Sequence, residues 1–414
     1  MNQLVINSEI GRLRKVILHT PGLEIESMTP REAEKDLYND IIPLQAVLGE
    51  YTQLKEFLST VSEVRELVDL LADCLADAGN KFEFLSSLSS CFPIHATMME
   101  LMAQPSTQLA RTIIEGVAAP AQSFAHFLDE NSYASRPLPN TYFMRDSAAV
   151  IGASALAAAT AYDVRMLEAY ITRFIFSHHP QFMAESFLFD GPTERNRYIT
   201  IEGGDIIVLS SRALVLGISE RTTPFAIERV ARSMARTVQD DVVIFAVDIP
   251  KTRATIHLDM VFTMIDRDCA LVYDPVITSK DRVRAYRIDS SPNGNLHYSE
   301  CDSLLDGLKG AGFDVEPVFC GNKHSIYQER EQWLSGANSF AFAPGKIIMY
   351  SCNTYTMEAL ANAGFAIKHS LDFIQGKDSI DNYGRLAVAF DGIELARGGG
   401  GPRCMTLPVA RDEL

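Results

Sequence analysis

The chain has 414 residues, 47% of them hydrophobic and 22% charged, which is enough to build roughly two to three domain-sized units around a large core. Its formal net charge of −16 disfavours binding to nucleic acid or to anionic membranes and favours cationic small molecules, although many cytosolic proteins are acidic for solubility alone. We predict a cytoplasmic, reduced protein, because the sequence shows no signal-peptide pattern, no membrane-length apolar run and no disulfide-like cysteine spacing.

The first predicted element is a helical block over residues 50–127. Apolar residues recur there at steps of three and four, with charges between them: Leu54, Phe57, Leu58, Val61, Val64, Leu67, Val68 and Leu71. A further helical run covers Ser106 to Val117, and no comparable strand pattern interrupts the block. These features predict a helical bundle inserted into a second unit, which comprises residues 1–49 and 128–414.

The rest of the chain repeats one local pattern. A polar residue leads two short apolar runs, rich in β-branched and aromatic residues, that are separated by a turn. The leading residues are Asp146, Asp205, Asp259 and Asn338. Such repeats are typical of a radial, propeller-like fold, in which the matching ends of the units meet at a central axis. An ordinary mixed α/β sheet is the alternative.

A glycine-rich segment near residue 400 is followed by a cysteine. Four consecutive glycines, Gly398 to Gly401, precede Arg403 and Cys404. A phosphate-binding loop would need a Lys-Ser/Thr pair and a helix start, and neither follows. The neighbouring positive charge of Arg403 is expected to lower the pKa of the thiol. Cys404 is therefore a candidate nucleophile, whereas the other cysteines have the pattern of inert structural thiols.

A thiol nucleophile needs a partner that handles protons. Period-two alternation in a strand would place His257 and Asp259 on one face, either as a surface ion pair or as an acid/base with a carboxylate that binds a cation. Glu202 lies beside two glycines at the leading end of another repeat, and Asp146 leads a third. Several carboxylates, one histidine and one cysteine at repeat ends suit a buried cationic substrate.

Taken together, these segments resemble the arginine deiminase family along nearly the whole chain. The matching segments are Asn140–Asp146, Arg165 with Glu168, Ile201–Asp205, Gly217–Thr222, His257–Thr263, Arg330–Trp333, Ala343–Gly345 and the glycine-rich Cys404 loop. The resemblance implies a five-bladed α/β propeller of the pentein fold, with pseudo-fivefold ββαβ repeats and an inserted α-helical bundle. It also implies a homo-oligomer, either a dimer or a tetramer.

The same resemblance assigns roles to individual residues. It makes Cys404 the nucleophile, His257 the general acid/base and Glu202 the acid that orients the imidazole. It makes Asp146 and Asp259 the carboxylates that grip a guanidinium, with Phe143 packed near it, and it uses Asn140, Arg165 and Arg221 to hold the substrate's α-carboxylate. The implied reaction is hydrolysis of L-arginine to L-citrulline and ammonia through a covalent thioether, with no metal and no organic cofactor.

Some positions depart from the family pattern, and other functions stay open. Asn39, Tyr51 and Met144 replace residues that are usual in the family, and Gly399 stands where some members have an arginine. One alternative is an amidinotransferase or another guanidine hydrolase of the same fold, although Arg165 and Arg221 favour a substrate with a carboxylate over agmatine. A catalytically silent arginine-binding protein is the second alternative.

Overall fold

The computed structural model describes residues 4–414 of the chain. Its strands, numbered in chain order, are β1 (Leu13–Leu18), β2 (Glu63–Glu66), β3 (Val117–Ala118), β4 (Tyr133–Ser135), β5 (Ala148–Ile151), β6 (Ser154–Ala157), β7 (Phe187–Asp190), β8 (Ile206–Ser210), β9 (Ala213–Ile218), β10 (Val242–Asp248), β11 (Phe262–Asp266), β12 (Cys269–Val272), β13 (Ala285–Ser290), β14 (Leu296–Cys301), β15 (Glu316–Phe319), β16 (Phe340–Ala343), β17 (Lys346–Tyr350), β18 (Ala366–His369), β19 (Leu386–Phe390) and β20 (Leu407–Arg411).

Helices connect these strands. They are α1 (Leu23–Glu26), α2 (Leu44–Val61), α3 (Leu67–Leu75), α4 (Ala78–Cys91), α5 (Met98–Ala103), α6 (Ser106–Glu115), α7 (Phe124–Leu128), α8 (Met166–His178), α9 (Gly191–Glu194), α10 (Pro224–Val238), α11 (Asp274–Ile277), α12 (Leu304–Gly310), α13 (Ser325–Trp333), α14 (Thr354–Asn362), α15 (Ser370–Ile374) and α16 (Ile393–Arg397). Within residues 4–414 no helix has both the length and the apolar character needed to cross a bilayer.

Within the described residues the strands form five mixed sheets and one small ribbon of β3 and β4. Four of the sheets begin with an antiparallel hairpin, namely β5–β6, β8–β9, β11–β12 and β16–β17. The second strand of each hairpin then pairs in parallel with a later strand, β7, β10, β15 or β19. The predicted hairpins after Asp146, Asp205, Asp259 and Asn338 are therefore confirmed, and the fold is α/β with mixed sheets.

The fifth sheet joins distant parts of the chain. Strand β1 pairs antiparallel with β20, with Leu13 opposite Arg411, and parallel with β2, with Lys15 opposite Glu63. Strand β1 thus has one antiparallel and one parallel neighbour, like the second hairpin strand in each of the other four sheets. Its antiparallel neighbour, however, comes from the far end of the described chain and not from a local hairpin. The sheet consequently depends on residues from both halves of the sequence.

The predicted helical block contains two strands that the sequence pattern did not predict, β2 and the two-residue β3. Strand β2 lies between α2 and α3 and is bonded to β1, so the expectation that no strand interrupts the block is wrong. The sequence of β2, Glu63-Val64-Arg65-Glu66, contains a single apolar residue. It is a short edge strand, and backbone hydrogen bonds and the Lys15–Glu63 ion pair (3.1 Å) hold it in place. Helix α2 packs on α15 and α16, whereas α3 packs on α4, α6 and α8. The domain division at residues 50–127 stays a prediction.

Candidate active site

The polar residues that lead the repeats lie just before a strand of their sheet. Asp146 and Asp205 belong to 3₁₀ turns that end directly before β5 and β8, and the turn of Asp259 ends one residue before β11. Asn338 and Cys404 lie shortly before β16 and β20. All five side chains are buried, and the Asn338 Oδ1 atom accepts a hydrogen bond from the Cys404 backbone N–H (3.1 Å). The leading ends of separate sheets thus converge on one site.

One cavity contains most of the predicted site residues. Its empty volume, which includes the open space at its mouth, is about 360 Å³. Every predicted residue except Glu202 and Asp259 lines it, and these two contact His257 and Cys404 from outside the lining. The structure therefore brings all nine predicted residues into one cluster, and their individual roles are taken up below as proposals.

The imidazole of His257 is held between two carboxylates. Its Nε2–H donates to Glu202 Oε2 (2.8 Å), and its Nδ1 atom lies 3.5 Å from Asp146 Oδ1. Burial disfavours the charged ring, but the charge of Asp146 and the hydrogen bond to Glu202 outweigh burial and raise the pKa of His257 to about 9. The imidazole is consequently protonated at neutral pH and can act as an acid.

Glu202 is itself fixed by several donors. Its Oε1 atom accepts from the Ala161 backbone N–H (2.9 Å), and its Oε2 atom also faces Arg221 Nη1 (3.4 Å). Burial alone would raise its pKa, but Arg221 and His257 lower the pKa of Glu202 to about 2. An ionised carboxylate can only accept a hydrogen bond, so it fixes the proton of His257 on Nε2 and leaves Nδ1 facing the cavity.

Sequence periodicity placed His257 and Asp259 in one strand, and that prediction is wrong. His257 has extended backbone, but Asp259 lies in the 3₁₀ turn Leu258–Met260, and β11 begins only at Phe262. The segment leaves the strand geometry because it forms the turn that leads the hairpin. The two side chains therefore have separate surroundings, with His257 between Asp146 and Glu202 and Asp259 beside Cys404.

The Cys404 thiol is buried next to negative charge. Its Sγ atom lies 3.7 Å from Asp259 Oδ2. Burial, together with the charges of Asp259 and Asp146, raises the pKa of the thiol well above its usual range. The charge of Arg403 lowers this pKa as expected, but burial and the two carboxylates outweigh it. The Arg403 guanidinium points into the core and donates to Glu9 Oε1 (2.9 Å), Asp259 Oδ2 (2.8 Å) and the Ile206 carbonyl (2.6 Å).

Two buried acceptors of the cluster have no hydrogen-bond partner. Asp146 uses Oδ2 to accept from Arg165 Nη1 (2.5 Å), and Asp259 uses Oδ2 to accept from Arg403. Within residues 4–414 the Oδ1 atom of each aspartate, like His257 Nδ1, is buried and makes no hydrogen bond, although His257 Nδ1 lies 3.5 Å from Asp146 Oδ1. Unpaired buried polar atoms are costly, and they commonly mark the place of a ligand. Two carboxylate oxygens beside a thiol fit a planar cation that donates several hydrogen bonds.

The arginines of the cavity differ in what they already bind. Arg165 donates to Asp146, to Glu168 Oε2 (2.8 and 3.0 Å) and to backbone carbonyls, so most of its donors are used within the protein. Arg221 donates to Glu202 and lies over the Tyr162 ring, while its Nε atom is buried without a partner. Arg253 also lines the cavity, and the sequence analysis missed it. The signal was its position four residues before His257 in the same loop.

Three of these groups could ligate a metal on distance alone. Asp146, Glu202 and His257 each offer one atom, and these atoms lie within 4.8 Å of one another. Both carboxylates already face arginine side chains, and the His257 Nε2–H donates to Glu202. The donor set is therefore already neutralised by the protein's own cations, and the absence of a metal stays a prediction.

Known proteins resemble this chain over its full length. A family model described as arginine deiminase matches residues 35–411. The arginine deiminase of Pediococcus pentosaceus is 32% identical, with 100% of both chains covered. The arginine deiminase of Limosilactobacillus fermentum is 33% identical, with 99% of this chain and 98% of the relative covered.

The chain belongs to the arginine deiminase family. Solved structures of lower sequence similarity share the fold of this arginine deiminase family member. SxtG, an amidinotransferase from Microseira wollei in the saxitoxin biosynthetic pathway, superimposes with a TM-score of 0.55 at 14% identity, covering 100% of this chain and 98% of SxtG. The N-terminal domain of ArgZ, a cyanobacterial arginine dihydrolase, gives 0.53 at 12% identity, covering 96% and 97%.

The departures from the arginine deiminase pattern lie in different places. Asn39 is exposed, and Met144 is buried in the turn that carries Asp146. Tyr51 is buried in α2. Gly399 lines the cavity. Among these departures, Gly399 is therefore the one that faces the substrate cavity directly.

Proposed function

We propose that the chain hydrolyses L-arginine to L-citrulline and ammonia. The two unpaired carboxylate oxygens beside the Cys404 thiol carry this proposal, because a guanidinium placed between them would satisfy both and would lie against the nucleophile. An unpaired cation in a dry pocket is strongly disfavoured, so Asp146 and Asp259 also offset the desolvation of the substrate. Family membership and the full-length relatives named arginine deiminase support the same reaction.

In the first half of the reaction, Cys404 attacks the guanidinium carbon as a thiolate. The C–S bond forms while the electrons of one C–N double bond move onto nitrogen. His257 then donates its Nδ1 proton to the departing nitrogen, so that the C–N bond breaks and ammonia leaves rather than amide ion. The product of this half is an amidino-thioether on Cys404, and the imidazole is left neutral.

In the second half, water replaces the sulfur. Neutral His257 accepts a proton from a water molecule, and the resulting hydroxide adds to the thioether carbon. Collapse of this adduct breaks the C–S bond, expels the Cys404 thiolate and, after loss of a proton, leaves the urea group of citrulline. Division of one difficult hydrolysis into two displacements lowers the barrier of each, which is the advantage of a covalent intermediate.

We also propose the finer architecture. The five mixed sheets, each with one antiparallel and one parallel pairing at its centre, are consistent with the five ββαβ blades of a pentein propeller whose axis passes through the cavity. Residues 50–127 would then form the inserted helical domain on a catalytic unit of residues 1–49 and 128–414. A homo-oligomer, dimer or tetramer, and a cytoplasmic location remain part of this proposal.

The deciding experiment measures citrulline and ammonia release from L-arginine across mildly acidic to mildly alkaline pH. We expect equal amounts of both products from the unmodified protein and none from Cys404→Ser. The control is Cys91→Ser, which changes an exposed thiol at the end of α4 and should keep full activity. Transfer of the amidino group to an added amine would indicate an amidinotransferase. Arginine binding without turnover would indicate a silent binding protein.

A further inference from the structure

One cation of the cavity has no partner among the residues that the structure describes. Arg253 lines the cavity with Arg165 and Arg221, but within residues 4–414 it donates no hydrogen bond and forms no ion pair. Arg165, in contrast, is engaged by two carboxylates, and Arg221 is engaged by Glu202 and the Tyr162 ring. The guanidinium of Arg253 is thus the cavity cation most available to an external anion.

Arg253 is held on the loop that also carries the acid/base residue. It begins the 3₁₀ turn Arg253–Thr255, which Thr255 anchors by donating to the Pro250 carbonyl (2.5 Å). His257 follows after Ile256, and the side chain of Arg253 is only partly exposed. A short tethered turn limits the motion of Arg253 relative to His257, so a group bound by Arg253 would be positioned with respect to the imidazole.

The glycine-rich loop leaves room for this guanidinium. A Cβ atom at Gly399 would lie 3.2 Å from Arg253 Nη2, and Gly399 has a φ of +89°, which side-chain-bearing residues rarely adopt. Glycine at this position therefore permits Arg253 to extend over the loop that delivers Cys404. The loop and the arginine form facing walls of the same cavity.

A second cation stands close to the first. Burial and the nearby charge of Arg221 lower the pKa of Arg253. Two neighbouring guanidinium groups, one without a partner and one with an unpaired Nε, repel each other until an anion binds between them. A planar carboxylate accepts from such donors in pairs, which makes arginine the preferred residue for this recognition.

We propose that Arg253 binds the α-carboxylate of L-arginine and thereby makes the enzyme select an amino acid over guanidines that lack this group. This inference rests on the proposed function. The substrate would lie with its guanidinium between Asp146 and Asp259 and with its carboxylate against Arg253 and Arg221. Arg165 already donates to Asp146 and Glu168, and its predicted contact with the carboxylate stays a prediction beside the role of Arg253.

The test compares L-arginine with agmatine, which has the same guanidinium and no carboxylate. For Arg253→Ala we expect the KM for L-arginine to rise about 10- to 100-fold, the loss typical of a hydrogen bond to a charged group, with a smaller change in kcat. The inhibition constant of agmatine against L-arginine turnover should change less than about twofold, because agmatine does not need this group. Arg253→Lys should recover part of the loss, since a lysine keeps the charge but not the paired geometry.

Lys251→Ala is the matched control, since it removes an exposed positive charge from the same loop without touching the cavity. It should leave all constants unchanged. An unchanged KM for L-arginine in Arg253→Ala would overturn the inference. An equal weakening of agmatine and L-arginine would also overturn it, because it would show a general structural role. If the unmodified protein releases no citrulline, the proposed function itself fails, and this inference falls with it.

Discussion

At the scale of single residues, the state of the nucleophile depends on the substrate. The Cys404 thiol is protonated in the free protein, because burial and the charges of Asp259 and Asp146 raise its pKa. A guanidinium bound between the same two carboxylates would cancel their charges and bring a positive charge next to sulfur. Ionisation of the thiol would thus accompany substrate binding, and an empty site would be poorly reactive toward other electrophiles.

Asp259→Asn tests this electrostatic account. Loss of the carboxylate charge 3.7 Å from Sγ should lower the pKa of the thiol, so alkylation of Cys404 by iodoacetamide should reach its half-maximal rate at a lower pH than in the unmodified protein. Peptide mass analysis would restrict the measurement to Cys404. Asp281→Asn, at an exposed loop position, is the control. An unchanged or upward-shifted alkylation profile would contradict the account.

Glu202→Gln tests the origin of the high imidazole pKa. The first chemical step needs protonated His257, so activity should fall as pH rises through the pKa of that group, which is about 9 in the free protein. Removal of the Glu202 charge and its hydrogen bond withdraws an influence that raises this pKa. The alkaline limb of kcat, which reports groups of the enzyme–substrate complex where the thiol is already ionised, should therefore move to lower pH in the variant. If the limb stays in place, another group controls it.

The residue types of the site could be read from the sequence, but their pairings could not. Cys404, His257 and the acids were identifiable because a thiol mechanism on a cation needs those side chains. That Arg403 turns into the core to bind Asp259 and Glu9, and that Arg165 binds Asp146, depends on side-chain directions within turns. Periodicity carries no information on such directions, so Arg253 was overlooked and the buried ion pairs of Arg403 were not predicted.

At the scale of elements, the 3₁₀ turn that leads β8 supports the imidazole. A Cβ atom at Gly204 would lie 2.6 Å from His257 Cγ and 2.8 Å from Asp146 Oδ1. These distances are shorter than van der Waals contact allows, so a methyl group there would displace the ring or the carboxylate. The glycine pair after Glu202 is thus a steric requirement of the site.

Gly204→Ala should reduce kcat by about 100-fold or more, because small displacements of catalytic groups are that costly. Its matched control is Gly49→Ala in α2, where an added Cβ would meet nothing within 4 Å. That exposed helix position should gain about 1 kcal/mol of unfolding free energy from better helix propensity, with unchanged kinetics. Steady-state rates and urea denaturation of both variants provide the measurement. Full activity in Gly204→Ala would show that the turn can move away.

Elements with regular apolar patterns were predictable, and those held by neighbours were not. The hairpins after Asp205, Asp259 and Asn338 have two apolar runs around a turn, and they form as predicted. Strand β2 has one apolar residue, and it forms because its backbone can hydrogen-bond to the edge of β1. The turn around Asp259 reads as strand in isolation, because its alternation continues into β11.

At the scale of the whole molecule, Arg403 connects separate parts of the chain beneath the site. Its guanidinium, completely buried, joins Glu9, the Ile206 carbonyl at the start of β8, and Asp259. Such a group satisfies two buried carboxylates at once. Its removal would leave both without their main cation, which is far more costly than the loss of an exposed pair.

Arg403→Met should accordingly lower the unfolding free energy by about 3–5 kcal/mol, measured by urea denaturation monitored by circular dichroism. Arg14→Met is the comparison, because Arg14 also pairs across distant parts of the sequence, with Asp412, but on the surface. Its denaturation midpoint should change little, since exposed ion pairs contribute weakly. Equal effects of the two substitutions would show that the buried network does not stabilise the fold.

The pairing of β1 with β20 also affects how the chain folds during synthesis. The ribosome makes β1 before nearly all other strands and makes β20 after them, so one edge of β1 stays open while the rest of the described chain emerges. An open edge invites pairing with other nascent chains until it is covered. Cys404 precedes β20 by only a few residues, so the segment that covers this edge is also the one that brings the nucleophile. A chain whose translation stops before β20 would therefore be both prone to aggregation and inactive. Such a truncated chain would not be a partly folded enzyme that still works.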